Sequence, residues 1–206
     1  MNTKAHFKVI SMALLGLFLS TGAMAADQSP APKSWFGGPV YQGAPALDVT
    51  AALVKAGGGA ENFTFPAALV SMLGEKTVNA EVAKLNKQYG EEKVKQFLDG
   101  MTFAVKDSLM RATEAGVKLP AAPANLHGAA LANTLVKAGT TSDGTWWSGW
   151  LFDNALSNKI HMITMADIEA KHDRAYDENI HRILNQAMYD VAQALGHKDV
   201  KLASLH

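Results

Sequence analysis

From Leu47 onward the chain spaces its apolar residues by three and four almost without a break, and the same order of segments comes round twice. That spacing lays an apolar stripe along each helix, and such a stripe has to be buried against other helices. Runs such as "EEKVKQFLDGMTFAVKDSLMRATEAG" carry it clearly, while no segment alternates as a strand would. Gly57, Gly74, Gly116, Gly139 and Gly196 stand where helix C-caps belong. The fold class this predicts is all-α, an internally duplicated helical protein of two pseudo-symmetric four-helix units.

The duplication is read from two matched blocks. "LVKAG" occurs at 53–57 and again at 135–139, an offset of 82. Downstream, "AEVAKLNKQYGEEKVKQFLDGMTFAVKDSL" aligns with "ADIEAKHDRAYDENIHRILNQAMYDVAQAL" at an offset of 86, bringing Glu81 to Asp167, Val94 to Ile180 and Leu98 to Leu184. The expected organisation is helical repeat 1 over 47–118, a Pro-rich linker over 119–126 ("LPAAPAN" at its centre) and helical repeat 2 over 127–206. Within repeat 2, Thr164 is expected to N-cap a three-turn helix, with Asp167 at N3 and Ile163 and Ile168 as a hydrophobic staple. That helix is expected to end near Tyr176, where the first copy has Gly90.

Ahead of the helices, residues 1–25 read as a secretory signal peptide. Lys4 and Lys8 supply the basic start, Val9 to Leu19 the apolar run, and Ala23-Met24-Ala25 the cleavage site. The apolar run is far short of the ~20 residues a bilayer needs. The expectation is therefore a periplasmic protein with no membrane insertion after cleavage. Residues 26–46, rich in Pro and Gly, read as an extended arm. The chain has no cysteine, so disulfides are excluded in a compartment that permits them, and stability must come from the core. Cleavage removes two of the 19 basic residues against 19 acidic ones, a balance of about −2 that gives no footprint for nucleic acid. Protein partners and oligomeric state are not encoded in any motif.

Residues that only one copy carries are not required by a fold both copies share. Phe65 aligns with Trp147, so an aromatic there reads as structural. Trp146 and Trp150, in "TWWSGWLF", face Thr64 and Ala68 and are extra. With His161 they are the candidate ligand-binding residues, although large aromatics more often serve packing. Copy one has no histidine, whereas copy two has His161, His172, His181 and His197. With a hairpin turn between Tyr176 and Asp177, His172 and His181 are expected to face one another across the seam. Glu169 in "EAKH" and Glu178 in "ENIH" lie one helical turn before each. The candidate metal ligands are thus His172, His181, Glu169 and Glu178, a two-His-plus-carboxylate set for a transition metal ion. "HMITM" adds His161, Met162 and Met165, soft ligands suited to copper where no thiol exists. Haem held by histidine ranks below a metal ion, and no C-x-x-C-H is present for covalent attachment.

The familiar catalytic motifs are absent. "AGGGAE" lacks a following Lys-Ser/Thr, and H-E-x-x-H, G-x-S-x-G and S-x-x-K do not occur. The sequence predicts an exported helical binding protein with a metal or cofactor site in the second repeat. Its alternatives are a metal- or haem-dependent periplasmic enzyme and a structural or adaptor protein without a small-molecule site.

Overall fold

A computed structural model of the chain describes residues 46–149, 151 and 158–203. Residues 1–45, where the leader and arm are expected, and Trp150 lie outside the described residues. In chain order the described elements are α1 (Ala46–Ala56), α2 (Phe65–Leu73), α3 (Glu75–Tyr89), α4 (Glu91–Glu114), α5 (Gly128–Gly139), β1 (Thr145–Trp146), α6 (Asn158–Lys171), α7 (Arg174–Ala194) and β2 (Lys201–Leu202). The molecule is mostly helical, as the spacing predicts. The two short strands, which no alternation announced, pair in parallel, with Thr145 beside Lys201 and Trp146 beside Leu202.

The long helices α4 and α7 pack against each other, and α6 and α3 lie on them in turn. Gly100 makes the α4–α7 approach possible, because any Cβ there would collide with the Ile180 side chain. Val94, Phe97 and Met101 of α4 and Ile180, Ile183 and Leu184 of α7 are buried around this point. On the other side, α2 packs against α5, and α1 lies against both.

The glycines divide by physical role. Gly74 ends α2 with φ 80, and Gly116 and Gly196 follow α4 and α7 with φ 78 and 91. These left-handed positions favour glycine and match the expected caps. Gly57 and Gly139 have no positive φ and serve close approach instead. A Cβ on Gly57 would strike the Phe63 ring, and one on Gly139 would strike the Trp146 indole. Each turn is closed in the same way, Thr64 N donating to Gly57 O at 3.0 Å and Trp147 N to Gly139 O at 2.8 Å. A helical turn then opens from each, with Ala68 N bonded to Thr64 O and Leu151 N to Trp147 O, both at 3.2 Å. In these two like turns Trp147 takes the position of Thr64, and Trp146 that of Phe63. The expected pairing of Trp147 with Phe65 is one residue out.

A larger correction concerns α6 and α7. Helices start at Phe65, Glu75 and Glu91 and again at Ser148, Asn158 and Arg174, each 83 residues further on, where the sequence predicts offsets of 82 for the first and 86 for the others. Thr164 is not an N-cap. It lies inside α6, buried, with its hydroxyl 2.9 Å from that of Ser108. The hairpin turns at His172-Asp173, where Asp173 caps α7 by accepting from Tyr176 N at 2.8 Å. An Asp side chain satisfies a free helix N–H outright, so the chain breaks there and not at Tyr176-Asp177.

Two carboxyl contacts tie α6 to α4 and α3 to α7. Asp107 meets Asp167, which Arg111 also holds, its Nε at 3.1 Å. Glu81 meets Asp190, which Lys84 and Gln186 hold. Asp107 Oδ2 and Glu81 Oε1 are buried with no donor in hydrogen-bond reach. A proton on one carboxyl of each pair would let it donate to the other. Burial, with Asp190 adding to it, raises Glu81 to about 7, and burial with Asp167 raises Asp107 in the same direction.

Two outcomes test this packing. Gly139→Ala and Gly57→Ala should each cost about 1–3 kcal/mol in urea denaturation, as overpacking does, because the added methyl has no room. A carboxyl raised in the folded state keeps its proton after the unfolded chain has lost it, so its contribution falls as pH rises between the two values. The Glu81 contribution should therefore decline from about pH 4.5 to about pH 7. Thermal melts across that window should show a midpoint falling with pH, and Glu81→Gln should flatten much of the slope.

Candidate functional site

Two helices facing each other in a hairpin bring together residues four apart on each. On α7 the stripe Asp177, His181, Asn185 points inward, and on α6 His161 and Met165 share one face. Ser148 enters from the turn after β1. Its backbone N donates to Asn185 Oδ1 at 2.9 Å, and its Oγ lies 2.5 Å from His181 Nδ1. On the other edge of the same ring, His181 Nε2 stands 3.4 Å from Met165 Sδ and 3.6 Å from Asp177 Oδ1. The His161 ring lies beside it, 6.4 Å between centroids.

The cluster is buried. Ser148 and Asn185 are 0 % and 1 % exposed, and the His181 side chain keeps only 14 %. Burial, with His161 adding to it, lowers His181 to about 4, so the ring is neutral. A thioether only accepts, so the neutral ring places its proton on Nε2 and takes one at Nδ1 from the Ser148 hydroxyl. Burial raises Asp177 to about 6, with Glu169 and Glu178 pushing the same way and His161 and Arg174 opposing. Asp177 Oδ1 and Asn185 Nδ2 are buried without a hydrogen-bond partner.

Ser148, His181 and Asp177 invite comparison with a nucleophile, base and orienting acid. The geometry speaks against it. The Ser148 hydroxyl is sealed from solvent, and 3.6 Å between Asp177 and the ring is too long for an orienting hydrogen bond. An apolar cavity of about 50 Å³ lies elsewhere, among Phe65, Met72, Met101, Leu184 and Met188.

The residues expected from the sequence fare differently. His181 and His161 are in the cluster. His172 is exposed and stacks on Tyr176, centroids 3.9 Å apart, at the outer end of the hairpin. The expected facing of His172 and His181 is replaced by Met165 facing His181, because α6 stops at Lys171. Met165 lies two turns back from His172, roughly 10 Å along the axis. Glu169 is exposed, and Glu178 is exposed and pairs with Arg174 at 2.8 Å. Trp146 is fully buried and donates Nε1 to Leu135 O at 3.3 Å, a core role. Met162 is 60 % exposed. Among the described residues, no three His, Asp or Glu side chains are placed to hold a metal ion. Ser148, Asp177 and Asn185 were missed. The i, i+4, i+8 spacing of Asp177, His181 and Asn185 was the available signal.

Asn185→Leu should cost about 1–3 kcal/mol in urea denaturation, since it leaves the buried Ser148 N–H without its acceptor. His172→Gln, at an exposed position, should stay within about 0.5 kcal/mol. Among the described residues no helix is long and apolar enough to cross a membrane. Compared with protein-family models, with curated proteins and with solved structures, the chain gives no match.

Proposed function

We propose that this is an exported, periplasmic binding protein made of two homologous helical halves, in which the second half carries the ligand site and the first is its scaffold. Neither nucleic acid nor a lipid bilayer is its partner on this reading. Support for homology comes from the shared offset of 83 and from the matching Gly–aromatic turns. A side-chain contact adds to it, for the Asp107 carboxyl with the Thr164 hydroxyl answers to Asp190 with Glu81 when the halves are exchanged.

One observation carries the functional reading. At the offset of 83, Ser148, His161, Met165, Asp177 and His181 stand where the first half has Phe65, Val78, Val82, Val94 and Leu98. Asn185 stands where it has Thr102, and both accept from the corresponding backbone N, Thr102 Oγ1 from Phe65 N at 3.0 Å. The fold therefore closes with apolar groups at these places. Polar groups held in a core without full hydrogen bonding cost stability and persist where function needs them.

Asp177→Val with His181→Leu restores what the first half carries. If the polarity serves a ligand, the double variant should melt several degrees higher than the native protein without ligand. A variant that unfolds or melts lower would show that the cluster is structural and would remove this reading.

A further inference from the structure

Resting on that reading, we infer that the cluster binds a single soft monovalent metal ion, Cu(I) or its analogue Ag(I), through His181 Nε2 and Met165 Sδ, with His161 completing the set. The two leading donors are already spaced for one ion. Metal bonds of about 2.0 Å to nitrogen and about 2.3 Å to sulfur, at a tetrahedral angle, put the donors about 3.5 Å apart. Nε2 and Sδ stand 3.4 Å apart. His161 approaches from the same helix face as Met165, its ring 6.4 Å from that of His181.

The donor chemistry selects the ion. Thioether and imidazole favour Cu(I), while Mg²⁺ and Ca²⁺ need oxygen sets. Among the described residues no three Asp, Glu or His side chains converge. Charge points the same way. Imidazole and thioether donors bring no charge to an ion, and the carboxyl at hand, Asp177 Oδ1, lies 3.6 Å from Nε2. One negative charge balances one positive charge in a buried site, whereas a divalent ion would leave an uncompensated charge out of water. Ser148 completes the arrangement. With a metal on Nε2 the ring proton moves to Nδ1, and the Ser148 oxygen at 2.5 Å can accept it, fixing the ring as outer partners of metal-bound histidines do. Binding is a ligand exchange, and no electron transfer is involved.

The test uses the full mature chain. Cu(I) is titrated anaerobically against a chromophoric Cu(I) chelator, and the copper environment is read by X-ray absorption. One ion per chain is expected, with one sulfur at about 2.3 Å and nitrogen at about 2.0 Å. Met165→Leu keeps size and burial, and should remove the sulfur signal and weaken binding at least ten-fold. His172→Gln should bind as the native protein does. Folded protein that takes up no Cu(I), uptake indifferent to Met165→Leu, or preferential uptake of Zn(II) would each overturn the assignment. If copper fails while Asp177→Val with His181→Leu still raises the melting temperature, the ligand-site reading survives and only the ion is wrong.

Discussion

The close crossing of α4 and α7 at Gly100 governs the placement of everything else. With no side chain there, Ile180 enters the gap and the two longest helices come into contact along their apolar stripes. Each then supports a helix from the opposite part of the chain, α6 on α4 and α3 on α7. The carboxyl contacts form at those two seams, and their orphaned oxygens follow from the same intimacy. Side chains that would reach water on a looser bundle are held facing each other.

That crossing also sets what the hairpin of α6 and α7 can do. α7 presents one stripe to α4 and, further round, another to α6. Ile180, Ile183 and Leu184 fill the first, while Asp177, His181 and Asn185 fall on the second. Being flanked by a packed core, the polar stripe is shielded from water although it lies near the end of a hairpin. The shielding makes His181 neutral and holds Asp177 partly protonated near neutrality.

Much of the helical layout was legible from spacing and glycines, and the "LVKAG" segments do end α1 and α5 in like manner. The register of the second block was not legible, for a geometric reason. A slip of three residues turns a helix by about 300°, close to a full turn, so an apolar stripe aligns almost as well at 86 as at 83. Capping chemistry places the break, because Asp173 caps α7 three residues ahead of Tyr176. The cost of that slip doubles across a hairpin. Moving the turn by about three and a half residues moves the residue opposite His181 by seven, from His172 to Met165. The residue across the hairpin from His181 is therefore Met165 and not His172. The two short strands escaped because two residues cannot show a period.

The small parallel pairing of β1 with β2 has a consequence for the order in which the chain can assemble. Trp146 sits in its socket against Gly139 with its strand fastened to Lys201-Leu202, and Gln193 Nε2 bonds the carbonyls of His197 and Val200 to hold that tail in place. The segment that leads into Ser148 is thus tethered by residues synthesised near the far end of the second half. A chain emerging N-terminus first makes the contacts of β1 with Gly139 and Thr141 before the tail is available, and gains the pairing with β2 only when the tail arrives. The pairing fastens Thr145 and Trp146 last, whereas Ser148 itself is held by Asn185 and His181 of α7.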